Sequence, residues 1–301
     1  MSNGEKIVGA NGVELCVETF GSAADPAILL VHGASASMLW WEEALCERIA
    51  TSGRYVIRFD NRDTGRSVSY PPGRPEYSLR DMADDAVGIL DALGIGSAHL
   101  VGRSMAGAIV ALAAMDHPHR VASLTLVSTT SGDAHLPPMS EEVIRFSSSP
   151  GPDPSDPAAV VSFIVGLMKV YAGGSPYYDE DAVRALAERD VLRTLNIAAC
   201  LTNHFVIDVN APVRLSEIEA PSLVVHGGCR GKVCESWRGR RGRENGCSSR
   251  GRIGRAVSQP RRVAACRVGA APGRSGDGEL VSVEFEEVVG RREEPPFRPD
   301  S

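Results

Sequence analysis

Short apolar runs alternate with longer amphipathic stretches from Lys6 to Val225, and the alternation stops soon after. Residues 6–10 and 13–17 flank Asn11-Gly12. That pair supplies the positive φ angles of a tight turn, so the spacing predicts a β-hairpin. Ala27–Val31 is apolar throughout, as expected of a strand covered on both faces. Residues 55–59, 98–101, 121–127 and 221–225 read as further strands. Ser78 opens a predicted helix over 78–93, with Asp81 near its positive end and Met82, Val87, Ile89, Leu90 and Leu93 on one face. A second apolar helix is expected over 105–116. Strands alternating with helices predict an α/β fold, a mostly parallel sheet with helices on both faces.

Between residues 131 and 211 the strand pattern stops. Pro150-Gly151-Pro152-Asp153-Pro154 reads as a loop, and 158–171, 181–189 and 192–204 read as helices. Such an insertion between two sheet strands is where a cap over a site would lie. The expected organisation is a core over 1–132, a helical cap over 133–211, a core strand within 212–227 and a separate tail over 228–301.

Charge sharpens the last boundary. Residues 1–226 hold 16 Lys and Arg against 28 Asp and Glu, a balance of −12, whereas 227–301 hold 16 against 10, a balance of +6. Arg238-Gly239-Arg240-Arg241-Gly242-Arg243 and Ser248-Ser249-Arg250-Gly251-Arg252 carry no amphipathic pattern, and only 280–289 resembles an element. Crowded Arg, Gly, Ala and Cys is what a GC-rich gene yields when read out of frame, so a shifted frame is the expectation for the tail. The alternative is a basic tract that binds nucleic acid or stays unfolded. Translating the DNA of codons 226–301 in three frames separates the two.

The whole chain of 301 residues is 43% hydrophobic, enough for one large core or a core plus a small inserted domain. Its net charge of −6 and pI near 5.7 argue against a nucleic-acid binder. There is no apolar run of membrane-spanning length, and Met1-Ser2-Asn3-Gly4-Glu5-Lys6 lacks signal-peptide form, so a cytoplasmic protein is expected. The 7 Cys are scattered, which disfavours a disulfide framework; Cys229, Cys234, Cys247 and Cys266 lack the paired spacing of a zinc site. No metal and no cofactor is called for.

Candidate chemistry concentrates at His99-Leu100-Val101-Gly102-Arg103-Ser104-Met105-Ala106-Gly107-Ala108-Ile109. A strand running into a small-residue turn and then a helix is the layout that lifts a serine hydroxyl above a sheet. The amide of Met105 falls at a helix N-terminus, where N–H groups and the helix dipole favour developing negative charge. A second donor is expected after Val31, in His32-Gly33-Ala34-Ser35, where Gly33 permits an unusual turn and the Ala34 amide can point at the same oxygen. Together these point to acyl transfer through a covalent serine ester.

On these residues the chain resembles the α/β-hydrolase family over about residues 5–227, and Phe59-Asp60 followed by Arg62-Asp63-Thr64-Gly65-Arg66-Ser67 resembles its anthracycline methylesterase subgroup. The resemblance implies Ser104 as nucleophile, the Ala34 and Met105 amides as oxyanion hole, no cofactor, and a small-molecule ester substrate of aromatic polyketide type. Ala106 stands where the motif usually has glycine. The family's acid follows the strand that matches 223–226, and a Gly-His pair follows later. Here that stretch is Gly227-Gly228-Cys229-Arg230-Gly231, and no histidine occurs after His226. Neither acid nor base is assigned, and turnover without them falls by orders of magnitude.

Other residues have plainer readings. His32 is expected to support the oxyanion loop rather than act as base, His204 to pack within the insertion, His226 to be structural, and His117 and His119 to be solvated. Arg62 and Asp63 are expected to brace their loop, and Trp40 and Trp41 to line core or pocket. Two alternatives to an esterase stay open: a cofactor-free haloperoxidase-like enzyme, which shares the serine elbow, and a ligand-binding protein without turnover.

Overall fold

In a computed structural model, residues 2–130, 139–209 and 213–226 are described. The tail over 228–301 and the boundary positions 131–138 and 210–212 lie outside the described residues.

The hairpin forms where Asn-Gly predicts it. β1 (Ser2–Ala10) and β2 (Val13–Phe20) pair antiparallel, closing at Ala10 opposite Val13. Asn11 and Gly12 take φ of 47° and 77°, the positive pair that matches the twist of the flanking strands. Both strands run longer than their apolar cores suggest, because ladder pairing carries them past the alternating segment.

β3 (Ala27–Val31) and β4 (Tyr55–Phe59) are as expected, followed by β5 (Ala98–Arg103), β6 (Val121–Val127) and β7 (Ser222–Val225). The sheet order is β1-β2-β4-β3-β5-β6-β7. β2 meets β4 antiparallel, and the pairs β3–β4, β3–β5, β5–β6 and β6–β7 are parallel. From β3 the chain steps outward to β4, then returns to place β5 on the other flank of β3. Adjacent loops leave the carboxyl ends of β3 and β5 in opposite senses, which opens a crevice suited to ligands.

Helix α1 (Glu43–Thr51) is not anticipated by the sequence pattern. It lacks a side-chain cap and is short, and its buried Cys46, with Ile49 and Ala50, packs on Phe20, Leu30 and Val56. α2 (Leu79–Ala92) begins with the predicted capping box between Ser78 and Asp81. α3 (Ala106–Asp116) is apolar on every side, and its residues Ile109–Ala114 are all buried. A helix of that kind needs cover all round; here it lies against β5, β6 and α2.

Among the described residues between β6 and β7 lie four α-helices: α4 (Glu141–Ser147), α5 (Pro157–Ala172), α6 (Glu180–Arg193) and α7 (Ile197–Thr202). Asp156, Asp179 and Asn196 cap the last three through side-chain oxygens. The expected helix over 192–204 is corrected. α6 runs on to Arg193, the chain breaks at 194–196, and only α7 plus a 3₁₀ turn at Asn203–Phe205 remain helical. The insertion has a small core of its own, Val160, Val161, Val165, Ala187 and Val191. Among the described residues no helix is long and apolar enough to cross a membrane.

Candidate active site

Ser104 follows the last residue of β5 and takes φ of 56°. A non-glycine residue in that region is strained by roughly 1–3 kcal/mol and persists only where its surroundings fix it. They do so here. Ser104 N–H donates to Val127 O at 2.9 Å, while Ser104 O accepts from Gly107 N–H at 2.9 Å and from Thr129 Oγ1 at 2.7 Å. The residue is exposed, so its hydroxyl faces out of the sheet end rather than into the core.

The neighbouring glycines make the bend possible. A Cβ on Gly102 would lie 2.3 Å from Ala106 O and 2.7 Å from a Val110 methyl, and one on Gly107 would lie 2.2 Å from Thr129 Oγ1. Ala106, at the position where glycine is usual, is fully buried; the close approach to Thr129 falls one residue later, at Gly107. Gly102→Ala must push strand and helix apart at a backbone atom. It is expected to cost about 3 kcal/mol, read as a lowered urea midpoint with unchanged m-value.

The loop after β3 runs directly beside the serine. A Cβ on Gly33 would sit 2.9 Å from Ser104 Cβ and 3.3 Å from its Oγ, so only a glycine backbone passes so close. Ser35 also takes a positive φ, 55°, and its N–H donates to His204 Nδ1 at 3.0 Å. With Nδ1 accepting, His204 carries its proton on Nε2 and donates it to Arg62 O at 2.8 Å. Burial holds this ring below the ordinary histidine pKa, against its bond to Arg62 and the charge of Asp63. Asn61 Nδ2 ties His32 O at 2.8 Å. Burial, aided by the Arg103 guanidinium, lowers the His32 pKa to about 3, so both rings are neutral at pH 7. Among the described residues, neither the Ala34 nor the Met105 amide has a protein acceptor.

Arg62 and Asp63 act as braces. Arg62 grips Asp85 of α2 through two bonds of 2.7 Å, both partners buried. Asp63 accepts from Tyr70 N–H at 2.6 Å, Ser69 Oγ at 3.1 Å, Tyr77 Oη at 2.6 Å and Asn203 Nδ2 at 2.9 Å. One carboxylate thus joins its own loop to the insertion. Sequence reasoning gave Asp60 no role and missed Asp190, Arg193 and Asn203, whose side-chain partners Trp40, Glu5, Asp60 and Asp63 lie far away along the chain. Trp40 Nε1 donates to Asp190 Oδ2 at 2.7 Å, while Trp41 is buried beside His32.

No hydrogen-bond partner for Ser104 Oγ is present among the described residues. His99 pairs with Ser123 and His117 with Asp84, each at 2.8 Å. Residues 227–231, where the resemblance sets the acid, lie outside the described residues, as do Cys229, Cys234, Cys247 and Cys266. Among the described residues no cluster of His, Cys, Asp or Glu could hold a metal.

The family profile of the alpha/beta hydrolase fold matches residues 26–149. A rhodomycin D methylesterase of a Streptomyces strain is 38% identical over 122 residues, 40% of this chain and 41% of that protein. The chain thus matches well under half the length of that relative. A 2-hydroxy-6-oxononadienedioate/2-hydroxy-6-oxononatrienedioate hydrolase of Burkholderia vietnamiensis is 30% identical over 211 residues, covering 67% of this chain and 69% of the relative. In structure, the enol-lactonase of Burkholderia xenovorans LB400 superposes with a TM-score of 0.54 at 21% identity, over 74% of this chain and 81% of its own. The strand order, the serine bend at the β3–β5 crevice and a relative matched over two thirds of its length agree, and the chain belongs to the α/β-hydrolase fold family.

Proposed function

We propose that this chain is a carboxylic-ester hydrolase with Ser104 as its nucleophile. The observation that carries the reading is the exposed, positive-φ Ser104 lying against the Gly33 backbone at the β3–β5 crevice. In this mechanism Ser104 Oγ attacks the ester carbonyl carbon and its proton passes to a base. The carbonyl oxygen becomes an anion that accepts from the Ala34 and Met105 amides. The C–O bond to the alcohol then breaks, the alcohol leaves with a proton, and water cleaves the acyl-serine. The insertion over 133–211 acts as a cap above a core formed by 1–132 and 212–227. The work is done in the cytoplasm, with no cofactor.

The substrate reading is a methyl ester on an anthracycline-type polyketide, in antibiotic biosynthesis. Its support is the rhodomycin D methylesterase likeness, which covers 40% of this chain. The assay is methanol release from a carbomethoxy anthracycline. Release that saturates with substrate is expected, at a rate reduced by orders of magnitude where no histidine base serves the serine. Hydrolysis of simple aryl esters with no release from the anthracycline would reject the substrate and keep the esterase. Peroxide-dependent halogenation without ester hydrolysis would favour the haloperoxidase-like alternative.

A second reading, ligand binding without turnover, is favoured by one observation. His32, His99, His117 and His204 are each engaged with other groups. A fluorophosphonate probe separates the two readings, since strong labelling at Ser104 requires an activated hydroxyl.

A further inference from the structure

The loop after β3 and the insertion helices meet around a small cavity lined by residues that include Ser35, Val160, Asp190, Ile197 and Cys200. The room it leaves for the centre of a water molecule is about 10 Å³, enough for a single water. Two of its lining residues carry buried polar atoms without a hydrogen-bond partner, Ser35 Oγ and Asp190 Oδ1; the Ser37 hydroxyl lies close enough to the Asp190 carboxylate to favour its charge. Asp190 is 4% exposed. Buried polar atoms are expensive to leave unpaired, and one water with two partners satisfies both at once.

Asp190 is also one of two grips that α6 lays on the turn following this loop. Its Oδ2 accepts from Trp40 Nε1 at 2.7 Å. One helical turn later, Arg193 Nη2 binds Asp60 Oδ2 at 2.7 Å, and Asp60 Oδ1 accepts from Met38 N–H at 2.9 Å. The insertion therefore holds Met38 through Asp60 and Trp40 directly, just beyond Ser35 with its left-handed φ of 55°.

We propose that Asp190 is a positioning residue for the oxyanion loop, holding Trp40 directly and Ser35 through one buried water. The consequence for acylation rests on the esterase reading; the hold on the loop does not. Asp190 touches no reacting atom. It fixes where the Ala34 amide points by fixing the residues that follow. Burial pushes its carboxyl pKa up, and asparagine keeps an acceptor oxygen for Trp40 in the same place.

Asp190→Ala and Asp190→Asn are compared with the unaltered chain by hydrogen exchange and by the rate of fluorophosphonate labelling. Asp190→Ala is expected to speed exchange in peptides over 32–41 by about tenfold or more, with α2 and β4 unchanged. Its maximal labelling rate should fall about tenfold while the probe's half-saturating concentration stays within about twofold. Asp190→Asn keeps an acceptor for Trp40 and a polar group in the cavity, and should restore both readouts. Unchanged exchange over 32–41 in Asp190→Ala overturns the proposal, as does faster exchange spread over the whole chain, or an Asn variant as impaired as the Ala variant. If the unaltered chain takes up no probe, the esterase reading fails and exchange alone decides the role of Asp190.

Discussion

Ser104→Ala is expected to abolish fluorophosphonate labelling and, where a base serves the serine, to lower ester hydrolysis by about 10³-fold or more, while leaving the thermal midpoint unchanged. The asymmetry follows from the geometry. The Oγ atom makes no hydrogen bond to any described residue, so folding loses nothing when it goes, whereas covalent chemistry loses its only reacting atom. Ser104→Gly extends the test. Glycine adopts φ of 56° freely, so this variant should be equally inactive yet more stable than the unaltered chain by about 1 kcal/mol. An inactive, stabilised glycine variant would show that the strain serves the site. If both variants keep full activity, the nucleophile lies elsewhere and the esterase proposal falls. Mass spectrometry of the labelled peptide settles the position of attachment.

Mild acid is expected to destabilise the protein through its buried imidazoles. The His32 ring has an ordinary pKa of 6.5 and is lowered to about 3 by burial and by Arg103. Below pH 6.5 the unfolded chain takes a proton that the folded ring refuses. Stability from this group is thus complete above pH 6.5 and falls by about 1.4 kcal/mol per pH unit as pH drops towards 3. At pH 5 the loss from His32 is about 2 kcal/mol. His204 acts in the same direction, because protonating Nδ1 would turn a donor onto the Ser35 N–H. The buried carboxylates Asp60, Asp85 and Asp190 titrate as well, so the measurement is a difference. Urea unfolding of the unaltered chain and of His32→Gln is compared at pH 7 and pH 5. Glutamine places an acceptor near Arg103 Nη1, which lies 3.4 Å from His32 Nε2. The variant should lose about 2 kcal/mol less between the two pH values. Equal losses would mean that His32 titrates as a solvated ring.

The neutral state of these two histidines bears on mechanism as well as stability. A general base needs a free lone pair within reach of the proton it takes. His204 spends its lone pair on a backbone amide, and His32 Nε2 faces Arg103 Nη1 at 3.4 Å. Both rings therefore read as struts for the loop beside Ser104. The brace at Arg62 and Asp63 serves the same end from below, since His204 donates to Arg62 O and Asn203 to the Asp63 carboxylate.

Much of the scaffold is legible in the sequence because its causes are local. Asn11-Gly12 sets a hairpin by φ preference alone, Ser78 and Asp81 start α2 by capping, and the wholly apolar run of β3 announces a strand covered on both faces. The bend at Ser104 is legible for the same reason, since Gly102 and Gly107 must lie where a Cβ has no room. Helix α1 was not legible, because its apolar face is short and its capping residue makes no side-chain bond. The end of α6 at Arg193 is not legible, because nothing local marks it. Thr194 is a weak stop signal, and Leu195 N–H instead bonds Gly65 O, far away in sequence.

By itself, the sequence determined the alternation of strands and helices, the insertion after β6 and the serine bend set between Gly102 and Ala106-Gly107, all by preferences acting over a few positions. Only the tertiary structure decided which side chains hold that serine's surroundings in place. Asp190 reaches Trp40 across 150 positions, Asn203 reaches Asp63 across 140, Ser35 meets His204 across 169, and Arg193 meets Glu5 across 188. Contacts of that range leave no periodic trace, because their partners become neighbours only after the sheet has closed and the insertion has settled over its edge.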